Sequence, residues 1–139
     1  MRIVRAGDRP GDRARIARID TSFTTNRIYR VTAEPDGFRL HEELTDPPRA
    51  KTYPVSYADL GAGLVVAEDD GNMVGFGEVV LEQWNRRATI AHLYVPPSHR
   101  GQGVGAALLD ALDQRARASG ARCLWLETQN VNYPAIQFY

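Results

Sequence analysis

Lysine is almost missing from this chain of 139 residues, where Lys51 stands alone beside sixteen arginines. Seventeen basic residues meet 17 acidic ones, so the formal net charge is zero. That balance removes any general attraction to nucleic acid or to anionic membranes, and neither is expected as a partner. The arginines are scattered, and a GC-rich coding sequence accounts for their number more simply than a dedicated anion site. Cysteine is reduced to Cys123, which excludes an internal disulfide. Its setting, "ARCLWLE", reads as a strand with a buried, inert thiol. No apolar run approaches membrane-spanning length. The opening "MRIVRAGDRPGDR" lacks the apolar core of a secretory leader. The cytoplasm is therefore the expected compartment. There are no internal repeats or low-complexity tracts, and no metal is expected.

What remains is ordinary for one globular domain: 43% hydrophobic and 24% charged residues. A chain of this size buries roughly two thirds of its unfolded surface. "MRIVRAGD" reads as a first strand, and Pro10 to Asp20 as a helix carrying Ile16 and Ile19. "NRIYRVTAE" and "GFRLHEELT" alternate around "PDG" as a hairpin. "DPPRAKTYP" reads as a loop, because Pro47, Pro48 and Pro54 disfavour a central strand or helix. "GLVVAE" and "MVGFGEVVLE" flank "DDGN" as a second hairpin, and "RATIAHLYV" is a third strand of that region. A helix runs from about Gly103 to Ser119, with Val104, Leu108, Ala111, Leu112 and Arg115 on one stripe and Gly120 as its stop. "RCLWLET" is near-continuously apolar, as a buried parallel strand should be. "NYPAIQFY" opens a last helix, with Asn132 as N-cap and Pro134 in the first turn.

Between the third strand and its helix lies "VPPSHRGQGVGAALL", with glycines at 101, 103 and 105. Glycine lets backbone approach a ligand closely. The first amides of a helix have no internal partner and sit at the positive end of its dipole. Together they suit a phosphate or diphosphate, and Arg100 adds a charge. A P-loop is excluded, since Ala106 and Ala107 follow where Lys-Ser/Thr would be needed. A dinucleotide fingerprint fails on glycine spacing and on the antiparallel strands that precede it.

"RGQGVG" matches the Arg/Gln-x-x-Gly-x-Gly/Ala signature of the GNAT superfamily of acetyl-coenzyme A-dependent N-acetyltransferases. "IAHLYVPPSHRGQGVGAALLDAL" resembles that superfamily's central strand, loop and helix. "LETQNVNYPAIQFY" resembles its next strand and helix, including the spacing of Asn132, Ala135, Phe138 and Tyr139. The words "DGFRLHEE", "KTYP", "WN" and "LETQ" are most similar to the streptothricin acetyltransferases, which acetylate an amine of the antibiotic's β-lysine side chain. The resemblance implies a mixed α/β (α+β) fold. Its sheet would be mostly antiparallel, flanked by helices, with a V-shaped splay between its central parallel strands. Residues 1–139 would form one acetyltransferase domain. It also implies two further strands after a Gly-Phe turn, so truncation at the C-terminus is expected.

By the same resemblance, the loop of Arg100, Gly101, Gln102, Gly103, Val104, Gly105 and Ala106 would hold the diphosphate of acetyl-coenzyme A. Leu93, Tyr94 and Val95 would pair with the pantetheine arm like an added strand, and Asn132 would contact it while capping its helix. Glu127, Glu78 and His92 are candidate bases for the amine, with relay through water as an alternative. Tyr139 stands where many members protonate the departing sulfur. Glu42 and Glu43 suit either a cationic acceptor or a solvated face. A small-molecule amine is the first acceptor class. A protein N-terminus, a polyamine or another metabolite remains open, as does an acyl-coenzyme A-binding module without turnover. A homodimer is the default assembly.

Overall fold

The computed structural model describes residues 1–56 and 59–139. The described residues form β1 (Arg2–Ala6), α1 (Asp12–Ile16), β2 (Phe23–Glu34), β3 (Gly37–Lys51), β4 (Leu64–Asp69), β5 (Asn72–Glu82), β6 (Arg87–Tyr94), α2 (Val104–Ala118), β7 (Cys123–Trp125) and α3 (Tyr133–Phe138). They divide into two units, Met1–Thr21 with Pro54–Leu126, and Ser22–Tyr53 with Glu127–Tyr139. The first unit holds a five-stranded sheet in the order β1-β4-β5-β6-β7. Every neighbouring pair in it is antiparallel except β6 and β7. This is the mixed, mostly antiparallel α/β architecture that the sequence led us to expect.

Both faces of this sheet are covered, which is why β4 reads as an unbroken apolar run. Val65 and Ala67 face α2, whose Val104, Leu108, Leu112 and Ala116 fall at helical spacing and pack on Val79, Ala88 and Ile90. Leu64 and Val66 face the opposite side, with Ile16, Leu60 and Phe76. Where β4 turns into β5, Asp70 and Gly71 both take positive φ (49° and 83°), as a type I′ hairpin requires. α2 ends in a Schellman motif: the amide of Gly120 donates to Arg117 O and that of Ala121 to Ala116 O.

Three expectations need correction. The first helix is only Asp12–Ile16, because Arg18 and Ile19 bond three residues back, to Arg15 O and Ile16 O, and tighten its end. Pro47 and Pro48 lie inside β3, not in a loop. They are tolerated because the β2–β3 ladder breaks there: Thr25 pairs with Arg49 and Arg27 with Leu44, so no ladder bond is asked of either proline. Cys123 is exposed, not buried. β7 stands at the sheet edge, and its period-2 alternation turns Leu124 to the core while Cys123 and Trp125 face outward. The Arg87 guanidinium covers the Trp125 ring at 4.8 Å.

A charged cluster ties α1 to the sheet. Arg5 donates to both Asp12 oxygens at 2.8 and 2.9 Å and also to Glu68, which Arg15 reaches at 3.2 Å. Asp12 is only 2% exposed. Its hydrogen bonds from Arg5 outweigh burial and hold its pKa below the usual carboxylate range. Burial pushes Glu68 upward, but Arg5 and Arg15 overcome it and the net shift is also down. In the second unit, β2 and β3 form a two-stranded ribbon laced by Arg27–Glu42, Arg30–Glu43 and Arg39–Glu34 pairs.

Two predictions follow from packing and charge. A Cβ on Gly63 would lie 1.9 Å from the carbonyl oxygen of Val79. Gly63→Ala should therefore cost about 2–4 kcal/mol in urea unfolding, whereas an unchanged midpoint would contradict the close approach. Asp12 and Glu68 bind protons less readily folded than unfolded, so their contribution is complete above the unfolded carboxylate range and fades as pH falls below about 4. Asp12→Asn should lose about 3 kcal/mol at neutral pH and show a flatter acid limb, read from denaturation at stepped pH.

Candidate active site

β6 runs to Tyr94, but its pairing with β7 covers only Arg87 to Thr89, opposite Cys123 to Trp125. Beyond Thr89 the ladder stops, because β7 itself ends at Trp125. Alternate main-chain groups of Ile90 to Leu93 thus have no ladder partner in β7. The resemblance puts a splay at this place, beside the parallel pair.

A second irregularity sets which way the side chains face. On β5, Glu78 pairs with His92 and Val79 with Ile90, so Ala91 is an extra residue and β6 bulges there. Ile90 packs against α2. The bulge changes the phase, so His92 instead joins Phe76 and Tyr94 on the opposite face, with ring centroids at 6.3 and 6.1 Å. Leu93 and Val95 return to the α2 side and fill core.

Glu78 is 2% exposed. One carboxylate oxygen accepts the Gly61 amide. The other lies 3.7 Å from His92 Nε2, too long for a hydrogen bond but close enough for electrostatic coupling. His92 Nδ1 is buried and has no hydrogen-bond partner among the described residues. Two of the three candidate bases are thereby brought together across neighbouring strands. The third, Glu127, lies exposed in the second unit, just after Leu126.

After β6 the chain passes through a short 3-10 turn, Pro97–His99, into the glycine loop. Gly101 (φ 73°) and Gly103 (φ 82°) adopt left-handed backbone that other residues enter at a cost. A Cβ on Gly101 would meet nothing within 4 Å, so the loop's outer side is open. Gly103 precedes α2 without a side-chain cap, and the helical bonding starts at Ala107 N to Gly103 O. The amides of Gln102, Gly103, Val104, Gly105 and Ala106 therefore have no hydrogen-bond partner among the described residues. Successive amides around left-handed glycines at a helix start form an anion-binding concavity. Arg100 takes another position than a bare loop charge: its Nε donates to the Val95 carbonyl at 2.8 Å, fastening the loop to the strand end. Burial lowers its pKa and Asp20 opposes that shift.

In the second unit, Asn132 caps α3 by accepting the Ala135 amide at 3.3 Å. Its Nδ2 donates to Tyr53 Oη at 3.3 Å, and Tyr53 Oη donates in turn to Gln129 Oε1, which Lys51 also reaches. That network, built by β3 and the segment after β7, escaped sequence reading because nothing local marks it. Tyr133 and Gln137, four apart on α3, bond Glu42 and Tyr29 of the ribbon. Burial, then the Glu42 bond, raises the Tyr133 pKa. Tyr139 follows α3, its amide on Ala135 O and its ring edge-on to Phe138 at 5.2 Å.

A mixed sheet whose β6 outruns its parallel partner beside a glycine-rich helix start suits an acyl-coenzyme A-dependent transferase, and residues 26–139 match the Acetyltransferase (GNAT) family. The chain belongs to that family and is an N-acetyltransferase. It is 40% identical to a streptothricin acetyltransferase of Streptomyces lavendulae, over 94% of this chain and 75% of that protein. Its fold superimposes on a crystal structure of nourseothricin acetyltransferase with a TM-score of 0.87 and 44% identity, over 99% of this chain and 79% of the other. A Bacillus anthracis protein provisionally assigned as a streptothricin acetyltransferase, solved with acetyl coenzyme A, gives a TM-score of 0.83 at 25% identity over 100% and 81%. No helix among the described residues is long and apolar enough to cross a membrane.

The loop amides invite a direct test. Gly103→Glu sets a carboxylate beside them and should raise the KM for acetyl-coenzyme A at least about tenfold. Unchanged coenzyme affinity, read by calorimetry, would reject this loop as the diphosphate site.

Proposed function

We propose that this chain acetylates a primary amine of a small cationic acceptor, namely the β-lysine amine of a streptothricin-type antibiotic, using acetyl-coenzyme A. The observation that carries the reading is the run of unpartnered amides from Gln102 to Ala106, a short turn beyond a strand that outruns its parallel partner. Relatedness to streptothricin and nourseothricin acetyltransferases over nearly the whole chain supports the acceptor. The family match runs through both units, which supports one acetyltransferase domain over residues 1–139. A cytoplasmic, homodimeric enzyme belongs to the same proposal.

In this reading the loop amides hold the diphosphate, and main-chain groups of Leu93 to Val95 bond the pantetheine amides. The attacking amine must first lose a proton. With an ordinary pKa of about 10.4, only roughly one molecule in 2,500 is neutral at pH 7. His92 receives that proton, and the neighbouring Glu78 carboxylate stabilises the imidazolium. The amine nitrogen then bonds the thioester carbon, the carbon–sulfur bond breaks, and the nitrogen's surplus proton passes to the departing thiolate, giving the amide and free thiol. Tyr139 hydrogen-bonds that sulfur. Full proton transfer from a phenol near pKa 10 to a thiol near 8.5 is uphill by about 2 kcal/mol, so Tyr139 assists rather than decides. Asn132 keeps one amide hydrogen for the pantetheine after its cap and Tyr53 bonds are made.

Purified chain with acetyl-coenzyme A should release thiol on streptothricin and add one acetyl group to it, detected by mass. Turnover confined to peptides or polyamines, or coenzyme binding without turnover, would overturn the acceptor. Tyr139→Phe should lower kcat about tenfold to a hundredfold with little change in KM. His92→Gln should also lower kcat, and a wild-type kcat would dismiss His92 as the base.

A further inference from the structure

Arg2 lies on β1, a hundred residues from the glycine loop, yet its Nη1 donates to the carbonyl oxygen of Gln102 at 2.8 Å. The same nitrogen lies 3.6 Å from where a Gly103 Cβ would stand, so the guanidinium rests against the loop. That carbonyl belongs to the peptide unit whose other end is the Gly103 amide. In a trans peptide the C=O and N–H point in opposite directions from one plane. Fixing the oxygen therefore fixes the amide. The peptide is bounded on one side by left-handed Gly103, and a glycine neighbour lowers the steric resistance to its rotation.

From this geometry we infer that Arg2 is a positioning residue for the diphosphate of the acyl donor. By holding Gln102 O on one side of the loop, it keeps the Gly103 amide aimed at the other, toward the anion. The inference rests on the diphosphate reading of the loop given above. Gln102 contributes in the same sense, since its own Nε2 donates to Ser98 O at 3.3 Å and pins the residue from the side chain. The arginine's positive charge also draws electron density along the peptide toward oxygen, which makes the amide a better donor.

The experiment is equilibrium binding of coenzyme A to the full chain, by calorimetry without acceptor and well below each variant's unfolding midpoint. Arg2→Ala should bind about tenfold more weakly, the loss expected when a charge-assisted bond disappears. Arg2→Gln and Arg2→Lys, which keep a donor, should each recover part of that loss. Wild-type affinity in Arg2→Ala overturns the inference. So does equal weakening in all three variants, which would make the donor irrelevant. Gly103→Glu, measured alongside, separates the two layers: if it binds normally, the loop reading fails and the inference with it. If it binds poorly while Arg2→Ala binds normally, only the role of Arg2 fails.

Discussion

Main-chain hydrogen-bonding capacity left unspent in one place is the constraint around which the first unit is arranged. Proteins rarely leave such groups idle, because each donor or acceptor stranded in a dry interior costs about 1–3 kcal/mol. Here the idle groups form a continuous path. It begins where the β6–β7 ladder ends at Thr89, follows the strand to Leu93 and resumes at the amides of Gln102 to Ala106. The path is tolerable because it is open: Gly101, Gln102 and Gly103 are all exposed. In the proposed reading, a molecule with amides along one arm and a diphosphate at its end would satisfy both stretches, with backbone doing the recognition. That explains why side-chain identity along Leu93 to Val95 answers to the core rather than to the ligand.

One extra residue does the rest. Without the bulge at Ala91, strict alternation would place His92 on the same face as Ile90, among the aliphatic side chains under α2. With it, His92 faces Phe76, Tyr94 and the Glu78 carboxylate. A matching bulge between β4 and β5, at the shift from Ala67 to Glu68, lets both Val74 and Phe76 be buried in opposite clusters. The sheet thereby keeps an aliphatic face for the helix and a separate face on which ionisable groups can meet.

The sequence was legible wherever a local rule had no competitor. Both hairpin turns, the stripe of α2 and its Gly120 stop, and the Asn132 cap all come from interactions within a few residues. It misled where the sheet's context outweighed the local signal. Two prolines fit a strand because the ladder skips them, and Cys123 is outside because a three-residue edge strand buries only its middle side chain. The glycine loop could be read as an anion site, but the companions of that loop could not. Glu78 and His92 each stood out alone; their pairing depends on strand register and a bulge. Arg2, and the Tyr53–Gln129 support beneath Asn132, come from distant segments with no motif to announce them.

The arginine excess gains a second meaning from the structure. Coding bias accounts for how many there are, but not for where their guanidinium groups point. Arg13 donates to the carbonyls of Leu60 and Gly61, Arg15 to Gly71, Arg86 to Gly120, Arg100 to Val95 and Arg115 to Ala62 and Leu64. Each clasps a turn or strand end to another element. A planar guanidinium with five donors can bond two carbonyls at once, or a carbonyl and a carboxylate, in one fixed orientation. A lysine ammonium offers three donors on a freely turning head and cannot hold two peptide oxygens in plane as well. The glycine loop is held by the same device: Arg2 bonds the Gln102 carbonyl, and Arg100 ties the loop to the Val95 carbonyl. A fold that recognises its ligand through backbone has reason to fasten that backbone with side chains, and arginine is the side chain suited to it.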